Sequence, residues 1–245
     1  MSNQNSVEGD AKNAHRKFFE KISGLGQLKI LRVFLCHQLK MPDDKTYHEC
    51  LTHFVNCLKN MHELQEIEFL QSEFCTEEEL KSLADALEKK GSKLKKLKIK
   101  FINKNRERDH LEKLSKAIRA MKNLEKLKLE GLYVTKASIE EFGKAISDLK
   151  SLKSLAIEVR GKKIDQTTLT KIAREILMKY GLRKLKWYGE KIVEETKEEA
   201  CIDIKEVIMR NPHLYKITWG DYKEHQFIVF KNVKGFLRPI KERVW

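Results

Sequence analysis

The sequence contains no apolar run near the length of about 20 residues that a membrane-spanning helix needs. Residues 1–10 lack the apolar segment of a secretory signal, and the acidic Glu8 and Asp10 argue against an organellar transit peptide. Five scattered cysteines in 245 residues are too few for a disulfide scaffold, and their odd number favours reduced thiols. We therefore expect a cytoplasmic protein that does not associate with membranes, and the sequence leaves the nucleus open.

Signatures of catalysis are also missing. The chain has no Gly-x-Ser-x-Gly elbow and no glycine-rich phosphate loop. The nearest approach to a metal site is a group of four residues, His48, Cys50, His53 and Cys57. A helix would place Cys50 and Cys57 on one apolar stripe with Phe54 and Met61, where a free cysteine behaves as a small buried hydrophobe. We predict a protein that is not an enzyme, with no metal, no cofactor and no small-molecule substrate.

The positive signal is a repeat. The pattern Leu-x-x-Leu-x-apolar occurs seven times at intervals of about thirty residues, and such a period is typical of a repeat architecture. The copies begin at Leu28, Leu64, Leu94, Leu124, Leu152, Leu182 and Leu214. Helical stretches separate them; in the best example, Thr76 and Glu79 predict a capping box and Gly91 ends the helix. Each unit is therefore a strand followed by a helix, and helical crossovers make the strands parallel.

On this pattern the chain resembles the leucine-rich repeat family, and within it the long-repeat class typified by ribonuclease inhibitor. The resemblance implies an α/β solenoid shaped like a horseshoe, with a parallel concave β-sheet, convex α-helices and a cap at each end. We expect a disordered N-terminus over 1–10, a helical cap over 11–27, seven repeats over 28–220, and a strand and helix cap over 221–245. In that last cap, Phe227–Phe230 should pair antiparallel with the seventh strand.

The repeat also assigns directions to side chains. Residues alternate between the two faces of a strand, so the third and fifth positions of each copy should point outward, onto the concave face. The third positions are Ile30, Glu66, Lys96, Lys126, Ser154, Lys184 and Lys216, and the fifth positions are Arg32, Glu68, Lys98, Lys128, Ala156, Lys186 and Thr218. Eight of these fourteen are basic, whereas 50 basic residues in 245 predict about three.

The net charge of +14 thus includes a basic strip on one face, which favours an anionic partner. The plainer alternative is that lysine is common here and that its stems cover the sheet while the ammonium groups stay in water. Glu66 and Glu68 would offset Lys96 and Lys98 on the neighbouring strand. An apolar area at the N-terminal end, around Phe34, would complement the charges.

We predict that the chain is a scaffold or adaptor that binds an acidic protein surface or peptide, alone or within a larger assembly. The expected partner-binding residues are Arg32, Phe34, Lys96, Lys98, Lys126, Lys128, Lys184, Lys186, Tyr188 and Lys216. Phe101 would add an aromatic contact beside Tyr188. The alternative is an RNA-binding or ribonucleoprotein subunit that uses the same basic face, although the sequence has no RNA module or base-reading motif.

Overall fold

A computed structural model describes residues 16–35, 44–71, 76–101, 109–160, 166–177, 181–189, 211, 213–214, 216–221, 226–233 and 236–240. The strands are β1 (Ile30–Leu35), β2 (Glu66–Gln71), β3 (Lys96–Phe101), β4 (Lys126–Tyr133), β5 (Ser154–Arg160), β6 (Lys184–Gly189), β7 (Lys216–Asp221), β8 (Gln226–Val233) and β9 (Phe236–Ile240). The helices are α1 (16–23), α2 (Asp44–Asn60), α3 (Glu77–Lys90), α4 (Leu111–Ala120), α5 (Lys136–Ser147) and α6 (Gln166–Leu177). None of these helices is long and apolar enough to cross a membrane.

All nine strands form one sheet in chain order. Strands β1 to β7 are parallel, and β8 and β9 are antiparallel to their neighbours. The predicted α/β arrangement of strand–helix units in a parallel sheet is confirmed, and it fits a solenoid-like repeat. The predicted antiparallel return through Phe227–Phe230 is confirmed as β8. The prediction of disorder over 1–10 lies outside the described residues, as do parts of both predicted caps.

The core lies between one face of the sheet and the helices. The second leucine position of every copy is buried, at Leu31, Ile67, Leu97, Leu127, Leu155, Leu185 and Ile217. Cys50, Phe54 and Cys57 of α2 and Met61, directly after it, are buried, as the apolar stripe predicted. Packing is close at the N-terminal end, where the rings of Phe54 and Phe69 stack with centroids 4.6 Å apart.

Helix α1 covers the first unit. Phe19 is buried and its ring centroid lies 6.1 Å from that of Phe54, while Ile22 packs against the same core. Phe18, in contrast, is 54% exposed. Phe18 and Phe19 are adjacent in a helix, where neighbouring side chains diverge by about 100° and only one of them can face inward.

Local signals start and stop the helices as the sequence predicts. The Thr76 hydroxyl accepts from the Glu79 backbone N–H at 3.2 Å, and the Glu79 carboxylate accepts from the Thr76 N–H at 2.7 Å, which completes the capping box of α3. Gly91 ends α3, but with a right-handed φ of −52°. Glycine is needed there for space, since a Cβ atom would lie 2.8 Å from the Ala120 carbonyl oxygen.

Strand β4 is longer than its neighbours because it contains a bulge. The pairing with β5 shifts register between Leu129 and Leu132, and Gly131 between them has φ +72°. Beyond the bulge, the Tyr133 backbone N–H donates to His110 Nδ1 at 3.1 Å and its carbonyl accepts from the His110 N–H at 2.9 Å. These two hydrogen bonds attach His110, directly before α4, to the end of β4.

Candidate binding face

The outward positions of the seven parallel strands form two continuous rows across the sheet. In the first row, Ile30, Glu66, Lys96, Lys126, Ser154, Lys184 and Lys216 are successive Cα partners. In the second row, Arg32, Glu68, Lys98, Lys128, Ala156, Lys186 and Thr218 are successive partners. We call the six lysines on β3, β4 and β6 the lysine face: Lys96, Lys98, Lys126, Lys128, Lys184 and Lys186. The repeat therefore predicts the register correctly.

Carboxylates neutralise the N-terminal part of this face. Lys96 Nζ contacts Glu66 Oε1, and Lys98 Nζ contacts Glu68 Oε1 on the neighbouring strand. Arg32 Nε lies 3.6 Å from Glu68 Oε2, so Glu68 is shared between two cations. The predicted offset of these lysines by the two glutamates is confirmed. Three of the predicted partner-binding residues, Arg32, Lys96 and Lys98, are thus paired with carboxylates within the chain and attract an external anion less strongly than unpaired cations would.

The C-terminal part of the face is different. Lys128 Nζ pairs with Glu130 Oε1 at 2.7 Å, but no carboxylate in the described part of the chain lies within 4.0 Å of the ammonium groups of Lys126, Lys184 or Lys186. Burial lowers the pKa of Lys186 below its usual range, and the charges of the neighbouring lysines, Lys184 first, lower it further. Positive charge is therefore both concentrated and largely uncompensated on β4 and β6.

Between these two strands the face is hollowed. Ser154 and Ala156, on β5, have side chains much shorter than the lysines on either side of them. The six lysines and both small residues line one open depression of about 450 Å³, which extends along the face to β1. The sequence shows the two small residues at outward positions, but only the register reveals that they separate two lysine pairs.

Exposed apolar side chains lie beside the charged ones at the N-terminal end of the depression, as predicted, with Arg32 between Ile30 and Phe34 on β1. Ile30 and Phe34 are 48% and 52% exposed on β1, and Leu70 on β2 is half-buried beside Phe34. Ile30 itself lines the depression. An exposed apolar pair therefore lies at one end of the same trough whose other end is cationic.

Two residues that the sequence predicts on the outer face are buried. Phe101 is only 2% exposed and stacks on the His110 ring at a centroid distance of 4.4 Å. It has the same parity as Leu97 and Ile99, so strand alternation turns it inward, and the prediction of a ligand contact is wrong. Thr218, at 1% exposure, is also buried, so the open part of the second row ends at Lys186.

Tyr188 and Lys216 lie at the border of the lysine face. Tyr188 is half-buried on β6, where its strand partner on β5 is Glu158. Burial raises the pKa of Tyr188, and the charges of Glu130 and Glu158 raise it further. Lys216 continues the first row from Lys184. The outward position beyond the second row is thus acidic on β4 and β5, whereas on β3 it is Lys100.

The two described cysteines, Cys50 and Cys57, are buried free thiols. Burial, assisted by Glu49, raises the pKa of the Cys50 thiol to about 11, and burial alone raises that of Cys57 to about 11. Both groups stay protonated at neutral pH, and a thiolate is the form that attacks substrates or binds metals. Within the described ranges, no three His, Cys, Asp or Glu side chains come together as a metal site.

Comparisons with models of protein families and with curated proteins found no match for this sequence.

Proposed function

We propose that this chain is a non-catalytic leucine-rich repeat scaffold that binds an acidic polypeptide segment along the lysine face. The observation that carries the proposal is the cluster formed by Lys126, Lys184 and Lys186, which has no carboxylate partner among the described residues. Like charges gathered on one face repel each other, so folding gains nothing from this cluster. An external anion supplies the missing counter-charge.

Several features support membership of the leucine-rich repeat class. One strand and one helix recur at the spacing of the leucine pattern, and each helix from α2 to α6 contacts the next. The leucine positions fill the core between the two layers. In this class the outer face of the sheet is concave and binds partners, and a concave surface concentrates the potential of its charges. The proposal therefore includes the horseshoe curvature that this class of repeat has.

A polypeptide fits the whole trough better than a nucleic acid does. The apolar pair Ile30 and Phe34 lies on β1, three to five strands away from the unpaired lysines, which corresponds to about 14–24 Å across the sheet. An extended peptide covers about 3.4 Å per residue, so an apolar anchor and an acidic cluster separated by about five to seven residues would reach both ends. Single-stranded RNA needs exposed aromatic platforms. Phe101, predicted as one of these, is buried.

A synthetic peptide tests this function. The probe is a fluorescein-labelled peptide with one leucine, six Gly/Ser residues and four glutamates, titrated with the full-length protein by fluorescence anisotropy. We expect a dissociation constant on the order of micromolar that weakens as salt rises from 50 to about 300 mM, because exposed charge pairs are screened. Replacing the four glutamates by glutamine should remove the binding.

A second variant uses the internal counter-charges. Glu66→Gln with Glu68→Gln releases Lys96, Lys98 and Arg32, and we expect the acidic peptide to bind about three- to tenfold tighter. Equal affinity for the glutamate and glutamine peptides would contradict the proposal. A ten-nucleotide single-stranded RNA that binds more tightly than the acidic peptide would replace it with the nucleic-acid function.

A further inference from the structure

We infer that Lys126, Lys128, Lys184 and Lys186 form a receptor for one doubly charged oxyanion, a phosphorylated side chain of the acidic partner. This inference rests on the proposed function and adds the chemistry of the group that is recognised. We call the four lysines and the two residues between them, Ser154 and Ala156, the oxyanion pocket.

The register creates a gap between two pairs of cations. Lys126 and Lys128 project from β4, and Lys184 and Lys186 project from β6, with β5 between the two strands. Two strand spacings separate the pairs by about 9.6 Å, and the two lysines within a pair lie about 7 Å apart along their strand. The outward residues of β5 that fill this gap are small and half-buried. The result is a notch with a cation near each corner.

The size of the notch suits a single tetrahedral group. An ammonium nitrogen that donates to a phosphate oxygen lies about 2.8 Å from that oxygen, so lysines on opposite sides of one phosphate hold their nitrogens roughly 8 Å apart. The two lysine pairs are separated by a similar distance, so the flexible lysine side chains need to move only a little to contact one phosphate from both sides. The hydroxyl of Ser154 in the floor adds one more donor. A long residue at position 156 would fill the same space.

The charge of the notch also favours a dianion. Glu130, paired with Lys128, offsets one of the four positive charges. Three remain; burial lowers the pKa of Lys186, and the nearby charges of Lys184, Lys216 and Lys128 lower it further. A phosphorylated side chain carries a charge of about −1.5 to −2 on three strong acceptor oxygens, whereas a carboxylate carries one negative charge on two. One phosphate therefore compensates the cluster more fully than one glutamate.

The test compares three peptides that share the leucine anchor and the spacer. One carries a single phosphoserine, the second carries two adjacent glutamates in its place, and the third carries unmodified serine. Isothermal titration with the full-length protein at pH 7.4 should give an affinity for the phosphopeptide about tenfold higher than for the charge-matched glutamate peptide. Lowering the pH to 5.5 protonates the phosphate, whose second pKa is about 6, and should weaken only the phosphopeptide.

Two variants locate the effect. Ala156→Leu fills the notch on the outer face and should reduce the preference for phosphoserine to about twofold or less, while the glutamate peptide still binds the remaining lysines. Lys184→Gln provides a second test that adds no bulk to the floor, and it should lower the phosphopeptide affinity by about five- to tenfold. Lys150→Gln, at an exposed position outside the depression, is the matched control and should change nothing.

The outcomes separate the two proposals. If the phosphopeptide and the glutamate peptide bind equally at both pH values, the oxyanion pocket is wrong and the acidic-segment function stands. A preference for phosphoserine that persists in both Ala156→Leu and Lys184→Gln also overturns the pocket. If neither charged peptide binds more tightly than the serine peptide, both proposals fail.

Discussion

Gly131→Ala is expected to lower the free energy of unfolding by about 2–5 kcal/mol, the sum of a left-handed backbone penalty and a steric one. Gly131 has φ +72°, and a Cβ atom placed on it would lie 2.0 Å from the backbone oxygen of Phe101. Relief requires movement of β3 or β4, because the obstacle is backbone and not the end of a flexible side chain. The loss is a large fraction of the 5–15 kcal/mol typical of a folded protein.

Gly181→Ala is the matched control for this prediction. Gly181 also has a left-handed φ, of +93°, but no atom of the described residues lies within 4 Å of its Cβ position. We expect a loss of only about 1–2 kcal/mol there, from the backbone penalty alone. Urea denaturation followed by circular dichroism measures both variants. Equal losses at the two glycines would show that the close approach to Phe101 is not a constraint on the fold.

The bulge at Gly131 also bears on the binding face. Glu130, the partner of Lys128, directly precedes Gly131, and the pairing between β4 and β5 leaves register at this point. Both outward rows therefore cross β4 in its regular part, just before the bulge. A folded Gly131→Ala protein should bind the acidic peptide more weakly, since displacement of β4 moves Lys128 relative to β6.

Reversal of three charges on the lysine face is expected to weaken binding of the acidic peptide about 100-fold. The variant carries Lys126→Glu, Lys184→Glu and Lys186→Glu. It loses three attractive pairs and gains three repulsive ones, and six exposed interactions at about 0.5 kcal/mol each amount to about 3 kcal/mol. Stability should change little, because no carboxylate partner among the described residues is lost and the repulsion among three lysines is replaced by a similar repulsion among three glutamates.

The matched control has the same net charge and leaves the face intact. Lys81→Glu, Lys122→Glu and Lys150→Glu change three exposed lysines that do not line the depression. We expect the affinity of this variant to stay within about threefold of that of the unmodified protein. The small loss reflects the long-range attraction that remains after screening by salt. Anisotropy titrations at 100 mM salt measure both triple variants. Similar losses in the two would mean that total charge, and not the lysine face, binds the peptide.

The repeat in the sequence predicts much of this architecture because its regular period identifies the equivalent positions in successive strands. Once the leucines are placed in the core, strand alternation fixes the side of every neighbouring residue. Lys96, Lys126 and Lys184 consequently lie on one row, as predicted. The offset of Lys98 by Glu68 follows from the same register, since both occupy the fifth position of adjacent copies.

Other features depend on contacts that no single repeat encodes. Thr218 has an outward position in the pattern and is nevertheless buried, because it belongs to β7, where the parallel repeat gives way to the antiparallel β8. The bulge at Gly131 depends on the close approach of two strands. A glycine in the sequence does not by itself distinguish such a bulge from an ordinary turn. The notch over Ser154 and Ala156 becomes visible only when three strands are considered together. The local pattern predicts which face of the sheet a side chain points to, whereas the neighbouring units determine how much of that side chain is exposed to solvent.

Zero-length crosslinking tests the central claim most directly, because it identifies the lysines that a bound carboxylate touches. A carbodiimide joins a carboxylate to an amine in direct contact, and mass spectrometry of the digested product identifies the lysine. With the acidic peptide bound, we predict that crosslinks concentrate at Lys126, Lys184 and Lys186 and disappear at high salt. Crosslinks found mainly at Lys81, Lys122 or Lys150, with none at those three residues, would contradict the proposal that this face binds the partner.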